Sequence, residues 1–202
     1  MHLSNWLLSG LLCLTACSCS IGRKGSILPA DVSLKEGDVV FRRGGGFTSH
    51  AVLIADKGGA YSHVGIVVDS AGVLMVVHAV PGEPDYEGDE DRVKMEIPAG
   101  FFDKMRADKG AVYRPIDSIA ARQAARQAMM TYRRRALFDH DYDDSDTTAM
   151  YCTELVVHAY SKSRSPLKGL DHHHLHLVGF EADCVLPSDV MHCENLKKIT
   201  TF

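Results

Sequence analysis

The sequence predicts an α+β fold in which an antiparallel sheet packs against a helix carrying a cysteine. Three observations lead there. The runs "HVGIVVD" (63–69) and "VLMVVHAV" (73–80), joined across "SAG", form a hairpin, so neighbouring strands run antiparallel. The stretch "DSIAARQAARQAMMTYRRRAL" carries an apolar stripe through Ile119, Ala120, Ala124, Ala128 and Met129 behind a capping Asp117 or Ser118, which predicts a helix. The chain has 202 residues, and two separate domains would each have a thin core, so one domain is expected.

The remaining elements follow in order. "EGDVVFRR" is a strand entered through a Gly-Asp turn, with Asp38 serving that turn. "TSHAVLIADKGG" is a short helix capped by Thr48 or Ser49. "PGEPDYEGDEDR" is an acidic loop, and its "EGDED" (87–91) is either a solvated loop or a rim of the substrate cleft. "VKMEIPAGFF" and "GAVYRPI" are strand material, and the tail ends in a strand-like "CVLPSDVM". The apolar share of 46%, charged share of 24% and net charge of -4 fit an ordinary folded domain and exclude a strongly basic nucleic-acid surface.

The N-terminus has a different character. Residues Met1 to Gly22 contain no Lys, Arg, Asp or Glu, and "WLLSGLLCLTA" is an apolar run too short to span a bilayer comfortably. The tetrapeptide "LTAC" (14–17) resembles the lipobox of bacterial lipoproteins, which implies acylation of Cys17. A plain cleaved signal is the alternative. The expected organisation is a signal peptide over 1–16, a small, polar tether over 17–30 and one folded domain over 31–202. The domain would then lie outside the cytoplasm in a cell envelope, held to a membrane by its lipid anchor.

Six cysteines are present, and with Cys13 in the signal and Cys17 lipidated, Cys19, Cys152, Cys184 and Cys193 remain. An exported protein permits disulfides, and Cys184 with Cys193 is one pairing that spacing leaves open. No spacing is CxxC, which argues against a cysteine zinc site. "HHHLH" (172–176) lacks a matching carboxylate spacing and is expected in a loop; "GGG" (44–46) lacks the Lys-Ser/Thr of a phosphate loop. No metal or other cofactor is expected.

Cys152 sits in "MYCTELVVHAY" (150–160), where a helix beginning near Thr147 or Thr148 would put it about one turn inside. Free backbone N–H groups and the positive dipole end there lower a thiol's pKa. It shares a face with Leu155, Val156 and Ala159, so core filling is the competing explanation. A nucleophilic cysteine needs a base oriented by a third polar group. His63 and His78 are 15 positions apart, so a connecting loop with an even number of residues places them opposite each other on one face. A three-residue loop with Gly72 as a bulge places them on opposite faces.

"GDVVF", "YSHVGIVV", "VVHAVPGE" and "YCTELVVHAY", in this order, resemble the motifs of the permuted NlpC-type papain-like amidases of the YiiX/YebB branch. The likeness spans roughly residues 35 to 195. It implies a circularly permuted papain-like fold and a cysteine amidase or peptidase, with Cys152 as nucleophile, His63 as base and His78 in the third polar position, which in relatives is often Glu. The Cys152 backbone N–H would serve the oxyanion. "LFDHDYDD" falls where relatives have a Pro-Tyr-Asp-like motif, with Phe138 or Asp139 at the tyrosine position, so Tyr142 is the substitute candidate. Tyr142, Tyr151 and Glu154 are candidate cleft residues, although Glu154 also suits the positive helix end. The implied substrates are cell-wall peptides or N-acyl amino acids. The alternatives are acyl transfer or hydrolysis on lipids, and an envelope binding protein without turnover.

Overall fold

The computed structural model describes residues 25–57, 59–143, 147–177 and 180–202. The expected signal peptide, Cys17 and most of the expected tether lie outside the described residues. The last part of that tether is docked rather than free: the Ile27 N–H donates to the Phe102 carbonyl at 2.8 Å, and Ile27 and Leu28 pack on the domain.

Six strands form one sheet: β1 (Val39–Arg43), β2 (His63–Ser70), β3 (Val73–Ala79), β4 (Val93–Glu96), β5 (Lys109–Pro115) and β8 (Leu196–Thr201), ordered β4-β3-β2-β1-β5-β8. Every neighbouring pair in it is antiparallel. A second, two-stranded sheet pairs β6 (His173–Leu177) with β7 (Phe180–Cys184). The helices are α1 (Phe47–Ala55), α2 (Pro98–Phe101), α3 (Ser118–Arg133), α4 (Cys152–Ser161) and α5 (Pro187–Met191). Among the described residues no helix is long and apolar enough to cross a membrane.

Side chains alternate across the main sheet, so each strand feeds two cores. Val39, Phe41, Val64, Ile66 and Val77 face α3 and α4, joining Ala124, Ala128, Leu155 and Ala159 in the larger core. Val40, Val67, Val76 and Val112 face the other way, under Phe101, Phe102 and the N-terminal Ile27 and Leu28. Two buried polar anchors tie the layers together. The Asp38 carboxylate is fully buried and accepts from Arg114 at 2.7 and 2.8 Å and from the Lys35 N–H, more than the turn role expected of it. The Tyr160 hydroxyl donates to the Gly37 carbonyl, fixing α4 to the entry of β1.

Two alternatives left open by the sequence are decided by the structure, and several other expectations need correction. The β2–β3 connection is a two-residue turn of Ala71 and Gly72, both at positive φ, because a primed turn matches the twist of the flanking strands. α3 is capped by the Asp117 carboxylate, which accepts from the Ile119 and Ala120 N–H groups. α1 is preceded by Gly46 rather than capped by Thr48 or Ser49. "IPAGFF" closes into α2 with Pro98 at its first position, and "VLPSDVM" turns into α5 behind Pro187, since Pro is tolerated there without loss of a hydrogen bond. From His173 onward "HHHLH" belongs to strand β6 rather than a loop. The last strand is "LKKITT".

Candidate active site

α4 begins at Cys152 itself, with Tyr151 as its cap, so the cysteine occupies the first helical position rather than a place one turn inside. The Glu154 carboxylate accepts from the Tyr151 N–H at 3.2 Å, satisfying the residue just before the helix. At such a start the N–H groups of Cys152 and Thr153 have no helical acceptor, and both act to lower the pKa of the Cys152 thiol. The Val64 backbone at the start of β2 acts in the same direction. The ladder between β2 and β3 ends at Ile66–Val77, which frees the start of β2 to meet α4. The sulfur therefore lies against the strand that His63 opens.

His63 and His78 share one face of the sheet, as the even, two-residue turn requires. They sit diagonally, with Gly65 between them. A Cβ at Gly65 would come within 3.1 Å of the His78 Cβ and 2.7 Å of Val76 Cγ1, so only glycine lets the two rings close. His63 Nε2 and His78 Nδ1 are 2.8 Å apart in a buried hydrogen bond. Phe101 packs against both rings, at centroid distances of 5.6 and 5.2 Å. The other ring nitrogen of His63, Nδ1, takes no part in that bond.

Charged groups absent from the sequence-based candidates surround this pair. Arg42 pairs directly across from His63 in β1. Its guanidinium donates to the Phe101 carbonyl, lies 5.0 Å from the Phe101 ring centre and pairs with Glu83. Lys94 stands across from His78 in β4. Glu96 Oε1 comes to 2.8 Å from His78 Nε2. Arg42 and Glu96 were legible only as members of strands, because nothing in the sequence gives the register that aims them at the histidines.

The electrostatics favour neutral groups. Burial, then Arg42, then His78 push the His63 pKa well below 6.5, and burial, Arg42, Lys94 and Arg106 do the same for His78. Burial also pushes the Cys152 thiol up to about 11, outweighing the backbone N–H groups and Arg42, which pull it down. The expected lowering at the helix start is thus overridden by desolvation. The resting pair is a thiol and a neutral imidazole.

Cys152 and His63 line one cleft of about 520 Å³, together with Arg42, Glu83, Tyr142 and Tyr151. Gly44 to Gly46, expected as plain loop, form part of its wall, as does Gly82 of the acidic loop, whereas the "EGDED" segment does not. Tyr142 is held at φ 54° in a turn where the Asp139 carboxylate accepts from the Asp141 and Asp143 N–H groups. Its ring lies 5.3 Å from that of Tyr151, and burial pushes its pKa up to about 12. Glu154 lines neither this cleft nor the apolar cavity beside it, and its position is that of a helix-start partner. Cys184 and Cys193 are both buried thiols, so the disulfide left open by their spacing is not formed.

Comparison with known proteins gives two results and one blank. Residues 33–200 match the family described as permuted papain-like amidase enzyme, YaeF/YiiX, C92 family. Among solved structures, the crystal structure of metalloprotein yiiX from Escherichia coli aligns with a TM-score of 0.65 at 18% identity, covering 83% of this chain and 97% of that one. At that identity the likeness establishes the fold alone. No curated protein matches. A match over nearly the whole described chain, to a papain-like cysteine peptidase and amidase family whose fold the solved structure shares, makes this chain a member of the permuted papain-like amidases of the YaeF/YiiX type.

Proposed function

We propose that the protein is an envelope cysteine amidase in which Cys152 is the nucleophile, His63 the base and His78 the residue that orients it. The single observation that carries this is the 2.8 Å bond between His63 Nε2 and His78 Nδ1, in a cleft that Cys152 lines. With that bond made through Nε2, Nδ1 is the nitrogen that His63, which lines the cleft, has left for the reaction.

The chemistry then runs as follows. The Cys152 sulfur attacks the amide carbonyl carbon as its proton passes to His63 Nδ1. The oxyanion is met by the Cys152 N–H at the first position of α4, a donor free of helical partners. His63 returns the proton to the leaving nitrogen, the C–N bond breaks, and a thioester remains on Cys152. Water, giving its proton to His63, releases the acid and restores the thiol. A neutral thiol and imidazole at rest make this proton transfer part of the attack itself, rather than a step completed before substrate arrives.

The substrate reading is cell-wall peptide or an N-acyl amino acid. Export and lipid anchoring through Cys17, with a domain outside the cytoplasm, support the first. The second, and acyl chemistry on lipids as a further reading, has its own observation. A cavity of about 480 Å³ abuts Cys152 beneath α1, walled by Ala51, Val52, Ala55, Leu175, Ala182 and Val185. Cys152 stands between this apolar cavity and the polar cleft, as an amide joining a greasy chain to a polar head requires.

The solved relative is described as a metalloprotein. In this chain, no group of three or more His, Cys, Asp or Glu among the described residues could hold a metal ion. The donor set does not fit a metal, and no step is routed through one.

The test is hydrolysis of a panel of muropeptides, N-acyl amino acids and phospholipids by purified protein, alongside Cys152→Ala. Cleavage of a peptide or N-acyl amide that disappears in Cys152→Ala supports the proposal. Cleavage of phospholipid alone moves it to the lipid reading, and turnover retained by Cys152→Ala refutes it.

A further inference from the structure

We propose that Glu96 is a positioning residue that sets, through His78, which nitrogen of His63 carries the proton. This rests on His63 being the base, and it explains why two neutral histidines in series can act in one direction. A neutral imidazole has one N–H and one lone pair, so two rings in contact can be wired either way round. Only the arrangement that leaves a lone pair on His63 Nδ1 can accept a proton from Cys152.

The structure supplies what breaks the tie. Glu96 Oε1 lies 2.8 Å from His78 Nε2, at hydrogen-bonding distance although not aligned as a hydrogen bond. Both atoms are buried, and neither has another hydrogen-bond partner. A carboxylate only accepts, so the proton of His78 belongs on Nε2, facing it. His78 Nδ1 is then a lone pair, His63 Nε2 must be the donor in the 2.8 Å bond between the rings, and His63 Nδ1 is left unprotonated. Small rotations about the side-chain bonds of Glu96 or His78 would align the outer contact.

Glu96 is itself held in place. Arg106 Nη1 donates to Glu96 Oε2 at 3.1 Å. Gly100 passes so close that a Cβ there would lie 2.6 Å from Glu96 Oε2. The other charged groups around His78 are Arg42, Lys94 and Arg106, all cations that disfavour a second proton on the ring. None of them touches the His78 nitrogens in place of Glu96.

The same contacts make Glu96→Gln a directional test. Arg106 can only donate, so it takes the amide oxygen and leaves the amide NH2 facing His78 Nε2. That nitrogen must then accept, the His78 proton moves to Nδ1, and His63 is forced to carry its proton on Nδ1, where it cannot act as a base. The experiment is long-range 15N–1H correlation on the full chain labelled with 15N-histidine, at pH 7.5, with His63→Gln and His78→Gln spectra to assign the rings. We expect His63 protonated on Nε2 in the wild type and in Glu96→Asp, and on Nδ1 in Glu96→Gln. Amide hydrolysis should drop at least ~100-fold in Glu96→Gln and recover in part in Glu96→Asp.

A wild-type His63 protonated on Nδ1, or one whose tautomer is unmoved in Glu96→Gln, overturns the proposal. The wild-type spectrum decides even if Glu96→Gln does not fold. Failure of the nucleophile and base assignment is a separate outcome, since it leaves the tautomers as expected and appears as turnover that does not depend on Cys152 or His63.

Discussion

Arg42 stands directly across from His63 in the ladder between β1 and β2, with its side chain only 3% exposed. A buried cation beside an imidazole holds that ring neutral, and burial of the ring acts in the same direction, so the site is built to keep a free base rather than an imidazolium.

The pH dependence follows from the two depressed histidines. With both pKa values well below 6.5, amide hydrolysis should stay level as pH falls from 8 through 6.5 and decline only at lower pH. Stability has the same sign. Each histidine binds its proton more readily in the unfolded chain, so its contribution is complete above about pH 6.5 and is lost as pH falls toward the folded-state value. The loss is at most about 1.4 kcal/mol per ring for each pH unit. A kcat/KM profile and urea unfolding at pH 7.5 and 5.5 check both; an acid limb already falling at pH 7.5 would contradict them.

Arg42→Met should shift that acid limb upward, since it removes a charge that lowers the pKa of His63 and of His78. It also takes one of two cationic partners from Glu83, whose side chain is 19% exposed and which keeps Arg106 Nη1 at 3.2 Å, and it removes the contact over Phe101. The expected cost is about 2 kcal/mol, less than for a fully buried pair. Urea unfolding gives the cost, and the histidine titrations followed by NMR give the shift. Unchanged titration would show that Arg42 does not act on the pair.

Gly65→Ala tests the closeness of the rings. Its methyl would meet Val76 Cγ1 at 2.7 Å and the His78 Cβ at 3.1 Å, so His78 must move away from His63. Overpacking of this kind costs about 1–3 kcal/mol, and hydrolysis should fall at least ~10-fold as the orienting bond is lost. A folded Gly65→Ala protein with unaltered kcat would mean that the His63–His78 contact is structural only.

Much of this was legible in the sequence. The hairpin follows from strand alternation, whereas the sequence leaves two alternatives each for the faces of His63 and His78 and for the cap of α3, and the two-residue turn and the Asp117 hydrogen bonds decide them. The start of α4 was misplaced because Thr147 and Thr148 are good capping residues; the better signal was Glu154, three positions after Tyr151. Pro187 marks a helix start, but the apolar run before it reads as strand sequence. The thiol's raised pKa could not be read at all, since it reflects how deeply α4 is packed against β2 rather than where Cys152 falls along α4. Glu96 stayed hidden for a related reason: "VKME" reveals a strand, but only the register of β4 on β3 brings its carboxylate to His78.

The most direct test is the rate at which iodoacetamide alkylates Cys152 at pH 7.5 in the full chain, followed by mass spectrometry of its peptide, in wild type and in His63→Gln. With a resting thiol near pKa 11, reaction at this pH depends on removal of its proton by the neighbouring base. The expected result is labelling slowed at least ~10-fold in His63→Gln, with the buried Cys184 and Cys193 unaffected. Equal labelling of Cys152 in the two proteins would contradict the account.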